Sequence, residues 1–487
     1  LKLGKLIENI QYEVLKGNTD IDILGIENDS RRIKKGHMFV AIKGFSVDGH
    51  EYISEAIDKG AVCIMLEKDM DIERDDVTVI KVKDTLDALA YISSVFYGMP
   101  SQKLNLIGVT GTNGKTSVTY MVKKIFEENN KKTAVIGTLG SIIKDEIIDN
   151  KNTTPESLTL QRLLSKMVDE KIEFCVMEVS SHALDLKRVE YIDYQIGIFT
   201  NLTEDHLDYH ITMENYYKSK LKLFNMTKKC NIINVDDLYG RRMIKEISND
   251  VPVITYGLDE KSDVTTKNVI YKSNGVEFTL STPKGSIPIK MKLLGKFNIY
   301  NALAAISCGI AYDVELNVIK KAIESMAGVR GRFELVQLED KDFNVIIDYA
   351  HTPDGLEKVL TTIKQFAPGR VVVVFGAGGN RDREKRPIMG EIASNLADMC
   401  IVTSDNPRFE DPDKIIEDIL VGVKKGKAEY IAITDRKEAI RYALENAKSK
   451  DTILLAGKGH ETYTIIRDKV IPFDEKQIVL DILQKKG

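Results

Sequence analysis

The run Val109-Thr110-Gly111-Thr112-Asn113-Gly114-Lys115-Thr116-Ser117 leaves an apolar stretch and enters a helical one. Glycines there let backbone N–H groups converge on phosphate oxygens at the positive end of the helix. Lys115 is spaced to reach the terminal phosphates of a nucleotide, and the Thr116 hydroxyl to ligate Mg²⁺. The common GxxxxGKS/T pattern has a glycine where Val109 stands, so this is a variant with Gly108, Gly111 and Gly114. Its chemistry is the binding of a nucleoside triphosphate; alone it names no reaction. Glu178 closes a later apolar run, where a carboxylate suits Mg²⁺, although a capping or ion-paired glutamate fits the same spacing. His206 follows another such run. Mg²⁺ prefers oxygen, so spacing alone reads His206 equally well as a satisfied loop histidine. The next helix carries Lys218, Lys220 and Lys222, and nothing in the spacing chooses among them.

Two further groups could bind a substrate. Asn152-Thr153-Thr154-Pro155 offers an amide and two hydroxyls ahead of a helix, which also needs an N-cap. Asp405-Asn406-Pro407-Arg408 follows an apolar run at 399–403. A guanidinium is the side chain suited to a buried carboxylate, because its planar fork gives two charge-assisted hydrogen bonds.

These residues need elements to hold them. A length of 487 residues implies three domains at about 150 residues each. Residues 1–100 read as a small α/β unit ending at Gly98-Met99-Pro100. Over 101–330, apolar runs at 104–110, 134–137, 174–179, 195–201 and 230–235 alternate with helices at 157–170 and 213–226, which predicts a parallel, doubly wound sheet. A polar strand-rich stretch at 260–290 and a helix at 298–311 follow. Residues 331–487 form a second alternating series, with strands at 345–349, 371–375, 399–403, 430–434 and 453–456. The fold class is therefore α/β throughout, and the motifs fall at the carboxyl ends of strands, where such sheets bind ligands.

Composition narrows the classes. The chain is 43% hydrophobic and 29% charged, which excludes a disordered or fibrous protein. A net charge of −4 gives no basic surplus for nucleic acid. No apolar run approaches a membrane span, and Leu1 to Gln11 carries no signal-peptide core. The five cysteines, Cys63, Cys175, Cys230, Cys308 and Cys400, are widely spaced and form no CxxC pair. They read as reduced thiols of a cytoplasmic protein.

The ordered set GTNGKTS, NTTP, EVSSHAL (178–184), TNLTEDHLDYH (200–210), GKFNIYNALAA (295–305), GVRGRFE (328–334), DYAHTPDGL (348–356), GAGGNRDREKRP (376–387), DNPR and AGKGHE (456–461) resembles the Mur ligases, ATP-dependent amide-forming enzymes of peptidoglycan synthesis. The match runs along essentially the whole chain. It implies an N-terminal domain for the UDP end of the substrate, a central ATP-binding P-loop domain and a C-terminal Rossmann-like domain for the incoming amino acid. Gly111 to Ser117, Asn301, Arg332 and His351 would serve ATP. Lys115, Glu178, His206 and Lys220 would be catalytic, with Lys220 carbamylated (an N6-carboxylysine). Thr116, Glu178, His206 and that carbamate would hold two Mg²⁺ ions. Taking up CO₂ requires a neutral amine, so Lys220 should have a depressed pKa. Ser30, in Asn28 to Arg32, with Asn152, Thr153, Thr154, Ser180 and Arg188, would hold UDP-N-acetylmuramoyl-L-alanyl-D-glutamate.

The DNPR segment is similar to that of family members adding meso-diaminopimelate rather than lysine. Arg408 and Arg381 would then take carboxylates, beside Asp405, Asn406, Pro407, Gly457 and Glu461, the last on an ammonium. Many such enzymes carry Asp where this chain has Asn380. The reaction implied runs through an acyl phosphate in a cytoplasmic monomer, with domains apart when empty and closed for chemistry. A lysine-adding sister, a folylpolyglutamate synthetase-like ligase and a P-loop ATPase of another kind are the alternatives.

Overall fold

The computed structural model describes residues 1–44, 47–248, 250–259, 261–272, 275–338 and 341–484. Near the N-terminus, strands Tyr12–Lys16, Thr78–Val82, Ala61–Leu66, His37–Val40 and Gly25–Glu27 form one sheet in that order. Only the first pair is antiparallel. Met38, Val40, Cys63 and Met65 enter one core while Phe39, Ile64 and Leu66 enter another, because successive side chains of a strand face opposite ways. Helix Thr85–Phe96 starts at an Asp84 cap and covers the first core. Gly98 and Met99, both at positive φ, turn the chain into Pro100.

The central sheet is ordered Val253–Tyr256, Thr227–Asn234, Tyr194–Phe199, Asn105–Thr110, Phe174–Glu178, Thr133–Gly137, Gly140–Ile143, Glu146–Ile148. Six strands are parallel, as the alternation predicts. The last two run antiparallel, since the short link Thr138-Leu139 with Gly140 at φ +100 permits only a hairpin. Both faces are covered. Ile107 and Val109 pack with helices Lys115–Glu128, Lys296–Ala311 and Leu316–Ser325, and Leu106 packs with Ser157–Asp169 on the other side. A three-stranded antiparallel sheet, Thr265–Lys272, Gly275–Thr282 and Gly285–Met291, adds Phe278, Leu280 and Ile289 to the first of these cores.

The helix expected over 213–226 is shorter. It runs Met213–Leu221 and tightens into a 3₁₀ turn, Lys222–Asn225, where the Thr227 hydroxyl and Asn231 amide capture the Phe224 carbonyl at 3.1 and 3.3 Å. The C-terminal sheet is ordered Glu334–Leu335, Asn344–Asp348, Thr452–Ala456, Val371–Phe375, Met399–Val402, Glu429–Ala432, parallel apart from its first, two-residue strand. Among the described residues no helix is long and apolar enough to cross a membrane. All five cysteines are free and buried, and burial raises each thiol, Cys400 to about 12.

Gly108 lies inside strand Asn105–Thr110, not in the loop. A Cβ there would stand 2.9 Å from both Leu223 Cδ1 and Tyr194 Cε1, so this glycine serves packing beneath the site. Gly108→Ala is expected to lower stability by about 1–3 kcal/mol through overpacking, read as a lower denaturant midpoint at unchanged slope.

Candidate active site

Strand Asn105–Thr110 sits between Phe174–Glu178 and Tyr194–Phe199, so the phosphate-type loop, Glu178 and the Thr200 to His210 segment emerge side by side. Gly111 (φ +146) and Gly114 (φ +89) pass so close to the Thr200 hydroxyl and the Asn301 amide oxygen that neither tolerates a side chain. Thr200 Oγ1 and Asn201 Nδ2 donate to the Asn113 carbonyl at 2.7 and 3.1 Å, and Asn113 N donates to Asn201 Oδ1 at 3.0 Å. The loop is thus fixed from its neighbour strand. Lys115 Nζ folds back onto the Gly111 and Thr112 carbonyls, both at 2.8 Å, and burial depresses its pKa. Ser117 lies half-buried on the first helical turn.

Glu178 is 1% exposed. It accepts from Thr116 Oγ1 at 3.0 Å, Thr138 N at 2.9 Å and Thr138 Oγ1 at 3.1 Å. A hydroxyl and a carboxylate held together are the hard oxygen donors that Mg²⁺ takes beside phosphates, so these two fit the ion the loop implies.

Lys220, 1% exposed, donates to the Gly111 carbonyl at 3.0 Å and lies 4.5 Å from the Tyr216 ring centre. Burial, then the nearby Lys115 charge, hold its pKa well below the ordinary lysine value. A shift in that direction favours the neutral amine that a carbamate requires. As an amine it offers Mg²⁺ little, and only the carbamate would supply oxygen. His206 stands apart from Thr116 and Glu178 in its contacts. Its Nε2 is 3.4 Å from Asp205 Oδ2, and its ring is edge-on to His182 and Tyr216. Desolvation keeps it below the usual imidazole range. Among the described residues no three His, Cys, Asp or Glu side chains are grouped to hold a metal, so a metal set with His206 and Lys220 needs the modification.

Several expected substrate contacts are occupied within the fold. Thr154, 0% exposed, donates to the Glu178 carbonyl at 2.8 Å. Ser180 caps helix Ser181–Asp185 through Ala183 N at 3.2 Å. Helix Ser157–Asp169 itself has no side-chain cap. Arg188 meets the Thr154 carbonyl at 3.2 Å and Glu156 at 2.8 Å. Thr153 faces the Thr138 hydroxyl at 3.1 Å, and Asn152 donates to Glu156 at 3.3 Å. Ser30 lies in a 3₁₀ turn capped by Asp29 and donates to Glu55 at 2.8 Å, the turn role that Asp-Ser also suits.

The third domain meets this loop instead of standing apart. Arg332 Nη2 donates to Thr116 Oγ1 at 3.2 Å and its guanidinium stacks 4.6 Å from the Tyr349 ring centre. Asn301 Nδ2 donates to Asn298 at 3.2 Å. His351 Nδ1 faces the Tyr349 carbonyl at 2.8 Å, and burial lowers its pKa.

At the other strand ends, Arg408 (φ +52) donates Nη1 to the Gly379 carbonyl at 2.9 Å. Arg381 Nη1 donates to the Asn380 carbonyl at 3.3 Å. A Cβ on Gly378 would lie 2.9 Å from Arg408 Nη1 and 3.8 Å from Arg381 Cγ, so the two side chains converge over a glycine. Among the described residues neither forms an ion pair with a carboxylate. Burial and Arg381 together depress the Arg408 pKa. Asn406 Nδ2 donates to Glu461 at 2.8 Å, Asp405 lies against Gly457 (φ +116), and the Pro407 carbonyl accepts Glu410 N at 3.0 Å. Burial, and next Asp405, raise the Glu461 pKa.

The spacing did not single out Lys458, 0% exposed, which donates to Asn406 Oδ1 at 3.1 Å and stands 3.7 Å from both Asp405 and Glu461. A lysine between two glycines at the end of an apolar strand was the available signal. Nor did it single out Tyr216, at the centre of Thr112, His206, His210 and Lys220.

The chain matches the family described as Mur ligase middle domain over residues 109–309. It matches the Mur ligase, glutamate ligase domain over 331–459 and the Mur ligase family, catalytic domain over 22–97. The chain belongs to the Mur ligase family. It is 49% identical over 483 residues to the UDP-N-acetylmuramoyl-L-alanyl-D-glutamate--2,6-diaminopimelate ligase of Caldanaerobacter subterraneus subsp. tengcongensis, covering 99% of each chain. The Clostridium acetobutylicum protein named as the first such ligase is 47% identical, with 100% of each covered. A solved structure named for the same ligase aligns with a TM-score of 0.70 at 29% identity, over 100% of this chain and 99% of the other. The three-part architecture described above is thus that of a Mur ligase.

Because Ser180 caps a helix, Ser180→Ala is expected to cost about 1 kcal/mol of stability in the absence of any substrate. Thermal unfolding of the empty protein measures it, and an unchanged Tm would free Ser180 for a purely substrate-facing role.

Proposed function

We propose that this chain joins meso-diaminopimelate to UDP-N-acetylmuramoyl-L-alanyl-D-glutamate at the expense of ATP. The observation that carries the reading is a pair of guanidinia, Arg408 and Arg381, that converge over Gly378 and form no ion pair among the described residues, in a chain that also carries a phosphate-type loop. Full-length likeness to ligases of that name supports it.

Residues 1–100 hold the UDP end, 101–330 the ATP and 331–487 the incoming amino acid, in a cytoplasmic monomer. The D-glutamyl side-chain carboxylate attacks the γ-phosphate, giving an acyl phosphate and ADP. The free amine of diaminopimelate then attacks the acyl carbon, losing a proton, and phosphate leaves. Lys115, with Asn301, Arg332 and His351 around the nucleotide, offsets the growing negative charge, which is how such a site lowers its barrier. Two Mg²⁺ ions, held by Thr116 and Glu178 and by His206 with a Lys220 carbamate, would neutralise phosphate charge there. Asn152, Thr153, Thr154, Ser180, Arg188 and Ser30 line the muramoyl-peptide path, those already bonded internally acting through backbone placement. Arg408 and Arg381 take the carboxylates of diaminopimelate. Glu461, with Asn406, Asp405 and Gly457 beside it, takes an ammonium.

The lysine-adding alternative would leave the Arg408 charge without its partner. Phosphate release and product mass, measured with the UDP-muramoyl dipeptide and either diaminopimelate or lysine, decide between them. Tripeptide is expected only with diaminopimelate; equal use of lysine would remove the specificity argument, and phosphate release indifferent to all substrates would remove the ligase. Arg408→Ala should weaken diaminopimelate selection over lysine by about 1.5–3 kcal/mol, the worth of hydrogen bonds to a charged group, read in the ratio of kcat/KM values. Lys220→Met should abolish turnover. Intact-protein mass in bicarbonate should show an added CO₂ on the parent and none on that variant.

A further inference from the structure

The third domain touches the nucleotide loop through a residue that the family resemblance left without a role. Helix Pro353–Phe366 is capped by Thr352, whose side chain accepts from Gly355 N, and its first turn presents Asp354 to the central domain. One oxygen of Asp354, Oδ2, accepts from Asn113 Nδ2 at 2.7 Å and from Thr203 Oγ1 at 3.1 Å. The same oxygen pairs with Lys358 at 2.8 Å, one helical turn on. Both central-domain partners are themselves hydrogen-bonded within their own domain. Asn113 is pinned through its backbone to Thr200 and Asn201. Thr203 is locked to the loop in both directions, its N–H donating to Thr112 Oγ1 at 3.0 Å and its carbonyl accepting from that hydroxyl at 3.1 Å.

The contact is therefore made to the phosphate-type loop itself, not to a flexible rim. Lys358 keeps the carboxylate neutralised, which matters where a triphosphate is to sit nearby. Neighbouring Arg332 reaches Thr116, so the third domain touches both ends of the loop.

We propose that Asp354 is a positioning residue that latches the third domain to the nucleotide loop, holding the closed arrangement in which the two halves of the site face one another. This rests on the ligase reading, because only a two-domain reaction makes closure a requirement for turnover. Losing the latch lowers the fraction of enzyme in the closed state, and kcat falls with that fraction, while binding of diaminopimelate within its own domain is retained.

The test uses the full chain with ATP, Mg²⁺ and both substrates, comparing the parent with Asp354→Ala and Asp354→Asn. Asparagine keeps an oxygen that can accept from Asn113 and Thr203. Expected for the alanine variant is a fall in kcat of about tenfold or more with little change in the diaminopimelate KM. Its radius of gyration in solution scattering, with nucleotide and substrates bound, should also be larger than the parent's. Asparagine should recover most of both. Scattering and kcat unchanged in both variants would overturn the latch, as would a fall in kcat with no change in scattering. Should the alanine variant fail to fold, Asp354→Ser, too short to reach Asn113 and Thr203, takes its place: a lowered kcat with a larger radius of gyration supports the latch, and parent-like values, or a lowered kcat with parent scattering, overturn it. A parent that makes no tripeptide at all would instead count against the ligase reading.

Discussion

A buried carboxylate at the end of a strand is costly unless its charge is met, and Glu178 meets that cost in a way that organises the site. Its oxygens are shared between Thr116, on the first turn of the loop helix, and Thr138, at the turn of the antiparallel edge. Its carbonyl is held by Thr154. One residue therefore joins the phosphate-type loop and the sheet edge through its side chain and the NTTP segment through its backbone. The close passage of Gly111 and Gly114 past Thr200 and Asn301 follows from the same demand, since the loop must lie directly over the strand ends to keep Thr116 on Glu178.

The two halves of the site solve opposite electrostatic problems. In the central domain, two amines, half-buried Lys115 and buried Lys220, lie close to one another, and the answer is to let desolvation lower their pKa values. In the C-terminal domain an acidic group, Asp405 with Glu461, surrounds buried Lys458. Beneath them the buried pair Arg436 and Glu475, at 2.8 Å, braces the strand end through the Ala456 carbonyl. Arg386, 0% exposed, anchors the glycine-rich segment to Glu410 and Asp418. With those charges satisfied, Arg408 and Arg381 converge over Gly378 and form no ion pair among the described residues.

Short-range signals were legible in the sequence. The apolar run and glycines around Lys115 gave strand, loop and helix, and the alternation gave two parallel sheets, because each depends on residues a few positions apart. What could not be read depends on partners far along the chain. Gly108 looked like part of the loop, yet its reason is the Tyr194 ring. The hydroxyls of Thr154 and Ser180 looked free for a ligand, yet the strand end and a short helix already use them. The Asp354 contact with Asn113 spans two domains, and Tyr216 acquires its place only when the helix carrying Lys220 docks under the loop. The antiparallel edge escaped the alternation rule because a hairpin of two short strands has no helix to announce it.

The five native thiols have a practical consequence. Each is enclosed in a core and shifted toward its protonated form, so each lacks both the access and the thiolate needed for alkylation. The folded chain is in effect a cysteine-silent scaffold. A pair of cysteines introduced on the surfaces of two domains would be the sites that take up dyes or spin labels, and the distance between the domains could be followed without first stripping the native sulfur from the protein.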